Sequence, residues 1–358
     1  MDTSRLQETI ARMLSAGKGI LAADESTGTA AKRLASIGLE NTQENRFSYR
    51  RMLLETDGLE RYVSAVILVD ETTRQRAQEG NGTIFPEYLE AKGIVPGVKV
   101  DGGLKDEDPK FPNEPLASGL GDLAERLEKY NEESKKRLRF TKWRQTISIG
   151  PNLPTQQRIK EGMERMARYA KISQEHGFVP IVEPEVLMEQ KGEGLSHHSG
   201  EHCREVTKLT LTILFDELQK IGADIRCTVL KTNLVIPGAK HASSPWPPER
   251  VGKETYGLLT SILPNNLPGV AFLSGGMKPK ESTANLNAVA VEAGHMGDRR
   301  VYTCSFGRAL QDRARKTWAG KPENVAAARK ALLEDAEQNS LAQAGKYDPQ
   351  RDPRESDR

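Results

Sequence analysis

Short, almost uninterrupted apolar runs alternate along this 358-residue chain with longer stretches in which apolar residues recur every three or four positions. Eight runs read as strands: GILAAD (19–24), VSAVILVD (63–70), VPGVKVD (95–101), KWRQTISIG (142–150), FVPIVEPEVL (178–187), CTVLKTNLV (227–235), GVAFLSG (269–275) and VYTCSFG (301–307). Several are rich in β-branched residues and close on Gly, Asp or Pro, as buried parallel strands do. Between most of them the spacing predicts helices. Ile159, Met163, Ala167 and Ala170 mark one face of 155–176, and Val206, Leu209, Ile213 and Ile221 mark one face of 200–221. TGTAAKRLASIG reads as a capped helix closed by Gly38, 119–139 as a long charged helix, and 322–343 as a helix rich in Ala, Glu and Lys. Residues 102–118 read as a loop. Eight strand–helix repeats predict an α/β fold, a closed (β/α)8 or TIM barrel, filling 1–347. The open doubly wound sheet is disfavoured because no G-x-G-x-x-G follows the first strand. From Asp348 onward the sequence DPQRDPRESDR has no aromatic residue and no apolar anchor, which predicts a flexible tail over 348–358.

Composition narrows the partners. Charged residues make up 28% of the chain, yet the net charge is only +2, too balanced to predict a nucleic-acid or membrane surface. No apolar stretch approaches membrane-spanning length. The 3 cysteines, Cys203, Cys227 and Cys304, are widely spaced and odd in number. They predict neither a disulfide framework nor a zinc site, and point to a reducing, cytoplasmic setting. The opening MDTSRLQETI shows no signal-peptide pattern.

The chemistry is carried by charges set into apolar strands. In a barrel of this kind catalytic groups sit at the C-terminal strand ends. Asp24 closes the first predicted strand, and Lys99 and Asp101 close the third. Lys142 and Arg144 lie on the fourth and Glu183 and Glu185 on the fifth. Residues two apart share a strand face, so each of these last two pairs points one way. Lys231 interrupts the sixth strand, although lysine is almost never fully buried unless it is paired. Each charge alone reads as a solvated strand end, but their recurrence at matching places in different repeats points to one mouth. A lysine buried beside cations loses its proton readily, attacks a carbonyl and forms a Schiff base that serves as an electron sink. Glu183, Glu185 and Asp24 are carboxylates able to divide the acid and base steps, with no metal and no cofactor required. LSGG (273–276) offers backbone N–H groups to an anion, and SFGRAL (305–310) sets Gly307 and Arg308 at a helix start. Lys99, Lys142, Arg144, Arg33 and Arg46 add positive charge for a second phosphate.

The segments GKGILAADESTGTAAKRL, ENTQENR, FTKWR, PIVEPEVL, TVLKTN, FLSGG and SFGRALQ, in this order from about Leu6 to Tyr347, closely resemble the class I, Schiff-base-forming fructose-1,6-bisphosphate aldolases. The resemblance implies a (β/α)8 barrel. It also implies reversible cleavage of fructose 1,6-bisphosphate to glycerone phosphate and glyceraldehyde 3-phosphate in glycolysis and gluconeogenesis, with phosphorylated sugars as partners and a homotetrameric assembly. Lys231 matches the Schiff-base lysine, Glu183 the general acid/base with Glu185 as its carboxylate partner, and Asp24 the aspartate at the hydroxyl where the bond breaks. Lys142, Arg144 and Lys99 match substrate-contacting cations. Ser274, Gly275, Gly276, Ser305, Gly307 and Arg308 match the cradle for the phosphate on the ketone half, and Arg33, Ser26, Thr29 and Arg46 match the region serving the other phosphate. The chain departs from the family pattern at Thr232, where proline is usual, in the 102–118 loop, and in lacking a C-terminal tyrosine after Tyr347.

Three rival readings fare worse. A monophosphate Schiff-base enzyme, such as a transaldolase or deoxyribose-phosphate aldolase, needs no second anion site. A metal site on His197, His198 and His202 would lie away from the strand ends, with no Glu ligand pattern around it. A non-catalytic scaffold has no use for a buried lysine and carboxylates.

Overall fold

The structure is a computed structural model that describes residues 3–79 and 82–354. Eight parallel strands close into a barrel: β1 Gly19–Ala23, β2 Val63–Leu68, β3 Val95–Lys99, β4 Phe140–Ile147, β5 Val179–Val186, β6 Val229–Thr232, β7 Gly269–Phe272 and β8 Val301–Phe306. Each pairs with its sequence neighbours, and β8 returns to β1 through Ile20 and Leu21 opposite Ser305 and Phe306. Strands four and six occupy different spans from the apolar runs that announce them. β4 begins two residues earlier, at Phe140, and β6 is confined to four residues.

Two cores result from the alternation of side chains. Outward-facing positions pack under the helical layer in one large cluster. Inward-facing positions form a second, smaller cluster that includes Ile20, Ala22, Ala65, Ile67, Val95, Phe140, Val179, Ile181 and Val229. Phe140 enters this interior where Gly97 of β3 leaves room; a Cβ there would overlap its ring. The floor is closed by the helix Thr3–Met13, whose Leu6, Ile10 and Met13, with Leu14 beyond its end, join the interior cluster. This helix is missed by a reading that asks only whether MDTSRLQETI could be a signal. Its apolar residues at three- and four-residue spacing are the sign of it, and each buried side chain is worth about 1.5–3 kcal/mol.

Two further expectations are corrected. In the helix Gly200–Lys220, Leu209 and the following Ile221 are exposed. The buried stripe runs instead through Cys203, Val206, Thr207, Thr210, Leu211, Leu214 and Leu218, so small polar residues serve where bulkier apolar ones were expected. The 102–118 loop contains a short antiparallel ribbon, Leu104–Asp106 with Leu116–Ala117, and Leu116 and Ala117 are buried.

The terminal segment does not hang free as far as it is described. Arg354 is buried, with Nη2 2.7 Å from Asp352 and Nη1 3.4 Å from Asp335 on the helix Val325–Gln343. Nη2 also donates to Thr283 Oγ1 at 3.2 Å, and Tyr347 donates its hydroxyl to Asp352. The segment 348–354, expected to be flexible, is thus packed against the helix Val325–Gln343 through Arg354. Its anchor is an ion pair, which a search for apolar residues overlooks. Residues 355–358 lie outside the described residues.

Candidate active site

The interior alternation changes character along each strand. On β1, Ile20 and Ala22 are followed by Asp24; on β4, Phe140 is followed by Lys142 and Arg144; on β5, Val179 and Ile181 by Glu183 and Glu185; on β6, Val229 by Lys231. The floor is apolar and the C-terminal end is charged. Parallel register then sets the charges side by side. Lys99 lies opposite Lys142, and Arg144 opposite Glu183.

These side chains form one ion network. Lys142 Nζ lies 2.8 Å from Asp24 Oδ2 and 2.7 Å from Glu183 Oε2. The other oxygen of Glu183 lies 3.1 Å from Lys231 Nζ. Lys231 and Glu183 are each 3% exposed. The lysine that breaks the apolar strand is thus paired, and the cation of Lys142 reaches it through a shared carboxylate. Arg144 binds Glu185, and its backbone N–H donates to Asp101. Lys99 Nζ lies 2.6 Å from Asp101 Oδ1.

Burial by itself would favour the neutral carboxyls, but the cations prevail. Burial pushes Asp24 upward, while Lys142 and Lys231 pull it well below the usual carboxylate range. Glu183 is lowered in the same way, against its burial, by Lys142, Lys231 and Arg144. Lys142 is raised: Asp24, Glu183 and Asp101 outweigh its desolvation. Asp24 and Glu183 therefore stand as carboxylates, with Lys142 held as a cation between them.

Two anion-receptive rims border the network. Ser274–Met277 forms a turn closed by the Met277 N–H to Ser274 O hydrogen bond, with positive φ at Gly275 and Gly276 (53° and 106°) that side chains rarely adopt. Beside it, Gly307 caps the helix Arg308–Trp318. Ser305 Oγ is buried in the cavity wall and has no partner among the described residues. The second rim is the start of the helix Thr27–Ala35, where Ser26 Oγ accepts from the Thr29 N–H and the two hydroxyls lie 3.1 Å apart.

All the predicted site residues except Arg46 line one cavity of about 580 Å³. Arg46 is drawn aside by Glu71, with which it makes two hydrogen bonds of 2.7 and 2.9 Å. Arg33 does line the cavity, but a Cβ on Gly307 would lie 3.5 Å from its Nη2, so it borders the Gly307 cradle it was not assigned to. It is held there by Glu25 and by Gln311 Oε1 at 3.0 Å. Sequence reasoning missed Glu25 and Glu189 in the lining, and noted Asp101 only as a strand end. The second carboxylate in ADES was available as a signal for Glu25; nothing local marks Glu189.

The family model for fructose-bisphosphate aldolase class-I matches residues 5–358. The chain belongs to the class-I fructose-bisphosphate aldolases. It is 42% identical to the probable fructose-bisphosphate aldolase class 1 of Xanthomonas axonopodis pv. citri over 349 residues, 97% of this chain and 99% of that one. It is 40% identical to cytosolic fructose-bisphosphate aldolase 4 of Arabidopsis thaliana over 333 residues, 92% of this chain and 80% of that one. Among solved structures, the Plasmodium falciparum aldolase crystallised with TRAP and a small-molecule inhibitor is similar throughout. The TM-score is 0.89 and the identity 41%, covering 96% of this chain and 95% of that one. Among the described residues no helix is long and apolar enough to cross a membrane.

Proposed function

We propose that this aldolase cleaves fructose 1,6-bisphosphate reversibly to glycerone phosphate and glyceraldehyde 3-phosphate through a Schiff base on Lys231. The observation that carries the residue roles is Glu183, whose two oxygens reach Lys231 and Lys142 separately. Glu183 is placed to take a proton from the Lys231 ammonium, freeing the amine to attack the ketone carbon. It then returns a proton to the carbinolamine hydroxyl, which leaves as water. The resulting iminium withdraws electrons from the adjacent carbon. Asp24, held as a carboxylate, accepts the proton of the hydroxyl on the far side of the breaking bond. The aldehyde departs, and the pair of electrons remains on the ketone half as an enamine. Protonation of that carbon and hydrolysis of the imine release glycerone phosphate and restore Lys231. Glu185 holds Arg144 toward the substrate.

The two rims fit a substrate with a phosphate at each end. The Ser274–Gly276 turn with Ser305, Gly307 and Arg308 serves the ketone-side phosphate, with Arg33 at its border. Ser26 and Thr29, with Lys99 and Arg144, serve the other. We infer one barrel domain over 1–347, a cytoplasmic setting as the names of the cytosolic relatives suggest, and the homotetrameric assembly that the family resemblance implies.

Borohydride with glycerone phosphate tests the central role. One covalent adduct per chain is expected, on Lys231. Lys231→Ala and Lys231→Arg should each lose the adduct and most activity, because arginine stays protonated. An adduct on another lysine refutes the assignment.

A further inference from the structure

The loop that follows β5 brings an acidic side chain to the anion cradle. A Cβ built on Gly276 would lie 3.2 Å from Arg308 Nη2 and 3.3 Å from Glu189 Oε2. Both tips thus flank one backbone position of the turn, and both residues line the cavity. Backbone hydrogen bonds hold this loop in place. The Ala239 N–H donates to Met188 O at 3.0 Å and the Gly238 N–H to His198 O at 2.9 Å, tying it to the loop beyond β6. Glu189 has no ion pair within salt-bridge distance among the described residues, and neither has Arg308. A carboxylate set here stands where an incoming phosphate would meet Arg308. Like charges at such a spacing disfavour one another.

We propose that Glu189 sets how tightly the ketone-side cradle binds phosphate, as a resident anion that offsets Arg308 and must swing aside when a phosphate enters. This rests on the reading of Ser274–Arg308 as a phosphate site. Its consequence runs against the usual expectation for a cavity residue: removing Glu189's charge tightens substrate binding. The carboxylate limits how firmly the cradle holds a phosphate and so favours release of glycerone phosphate. Its exposure leaves it room to move aside, and its effect is electrostatic, so it weakens with added salt.

Calorimetric titration with glycerone phosphate tests the proposal. Glu189→Gln should bind about three- to tenfold more tightly than the unaltered enzyme at low salt, with the gain shrinking as salt rises. Glu193→Gln makes the same charge change on the same loop but outside the cavity lining, and should leave affinity unchanged. Arg308→Ala separates the two layers of the argument. If Arg308→Ala fails to weaken binding, the cradle itself is misplaced. If Arg308→Ala weakens binding and Glu189→Gln does not strengthen it, the cradle stands and the role of Glu189 is refuted. A gain of equal size in Glu193→Gln also refutes it, since that would be a general charge effect.

Discussion

Replacing Arg354 by leucine removes the centre of the C-terminal anchor. The Arg354 side chain is 1% exposed, and the side chains of Asp335 and Asp352, its carboxylate partners, are each 0% exposed. Breaking a buried pair usually costs about 3–5 kcal/mol, because a charge is left buried without its partner. That figure assumes the rest stays in place. Here it need not: Asp352 belongs to the same terminal segment, and if the segment lifts away Asp352 regains water and the cover over Asp335 opens. Asp335 also keeps Arg313, 3.1 Å away. The loss is therefore capped by the docking free energy of the segment, whose main apolar contribution is Tyr347. Burial of one large side chain sets that at about 1.5–3 kcal/mol, or a fall in Tm of roughly 2–4 °C for a chain of this length. Truncation after Pro349 keeps Tyr347 but removes Asp352, which accepts its hydroxyl hydrogen bond, together with Arg354, so Tyr347 loses its hold and the fall should be the same. Amide exchange at 279–285 and 347–349 should rise in both proteins. Cleavage of the bisphosphate should stay within about twofold, roughly 0.4 kcal/mol in barrier, because none of these residues lines the cavity of the candidate site. Melts and exchange indistinguishable from the unaltered enzyme would refute the anchor. A loss in Arg354→Leu well beyond that of the truncation would refute the undocking argument.

Two other outcomes follow from the titrating groups. His198 is buried with neither ring nitrogen hydrogen-bonded among the described residues, and burial, with smaller contributions from His202 and His241, pushes it down to about 4. An unfolded histidine takes up its proton near pH 6.5, so this contribution to stability is whole above that pH and is lost as pH falls toward 4, amounting to about 2 kcal/mol at pH 5. His198→Gln should therefore lose about 3 °C less in Tm between pH 7.5 and 5 than the unaltered enzyme; equal losses would contradict it. Lys142→Met removes the ammonium that keeps Asp24 and Glu183 low, so the acid limb of kcat/KM should move to higher pH, with residual activity well below that of the unaltered enzyme. An acid limb that stays in place would show that neither carboxylate governs it.

The parts of the molecule most legible in the sequence are those where local pattern and chemistry coincide. Strand positions such as 63–68 and 269–272 are buried on both faces and, Ser64 apart, apolar, and against that background charges set into sister strands, such as Lys142, Glu183 and Lys231, stand out. Positions that depend on a distant partner were harder to read. Arg46 resembles any other cation near the mouth until Glu71 is seen to hold it. Arg33 belongs to the helix after β1 in sequence but reaches the β8 cradle through Gln311. The helix Gly200–Lys220 misled because Thr207 and Thr210 fill its buried face, and hydroxyl-bearing side chains score as polar although their methyl groups pack well. The terminal segment is the converse case. Its charges read as solvated, and only the fold reveals that Asp335 waits for Arg354.

The charge network also indicates why such residues stand in the barrel at all. Replacing a buried ion cluster with well-packed apolar side chains is often neutral or stabilising by about 1–4 kcal/mol. The lower half of this barrel already shows that solution, with Ile20, Phe140, Ile181 and Val229 filling the interior. Continuing that packing upward past Lys142, Glu183 and Lys231 would close the cavity and relieve the desolvation that each charge bears. The abrupt change from apolar to ionic layers, within one residue pair on each of four strands, therefore cannot be assigned to stability. It marks the plane at which the fold stops serving its own packing. Above that plane Glu183 lies between two lysines and Lys142 between two carboxylates, so in the proposed mechanism the Glu183–Lys231 contact passes a proton without a large movement of the frame while Lys142 stays a cation. That is the arrangement imine chemistry requires, since each of its steps moves a proton to or from an atom held in one place.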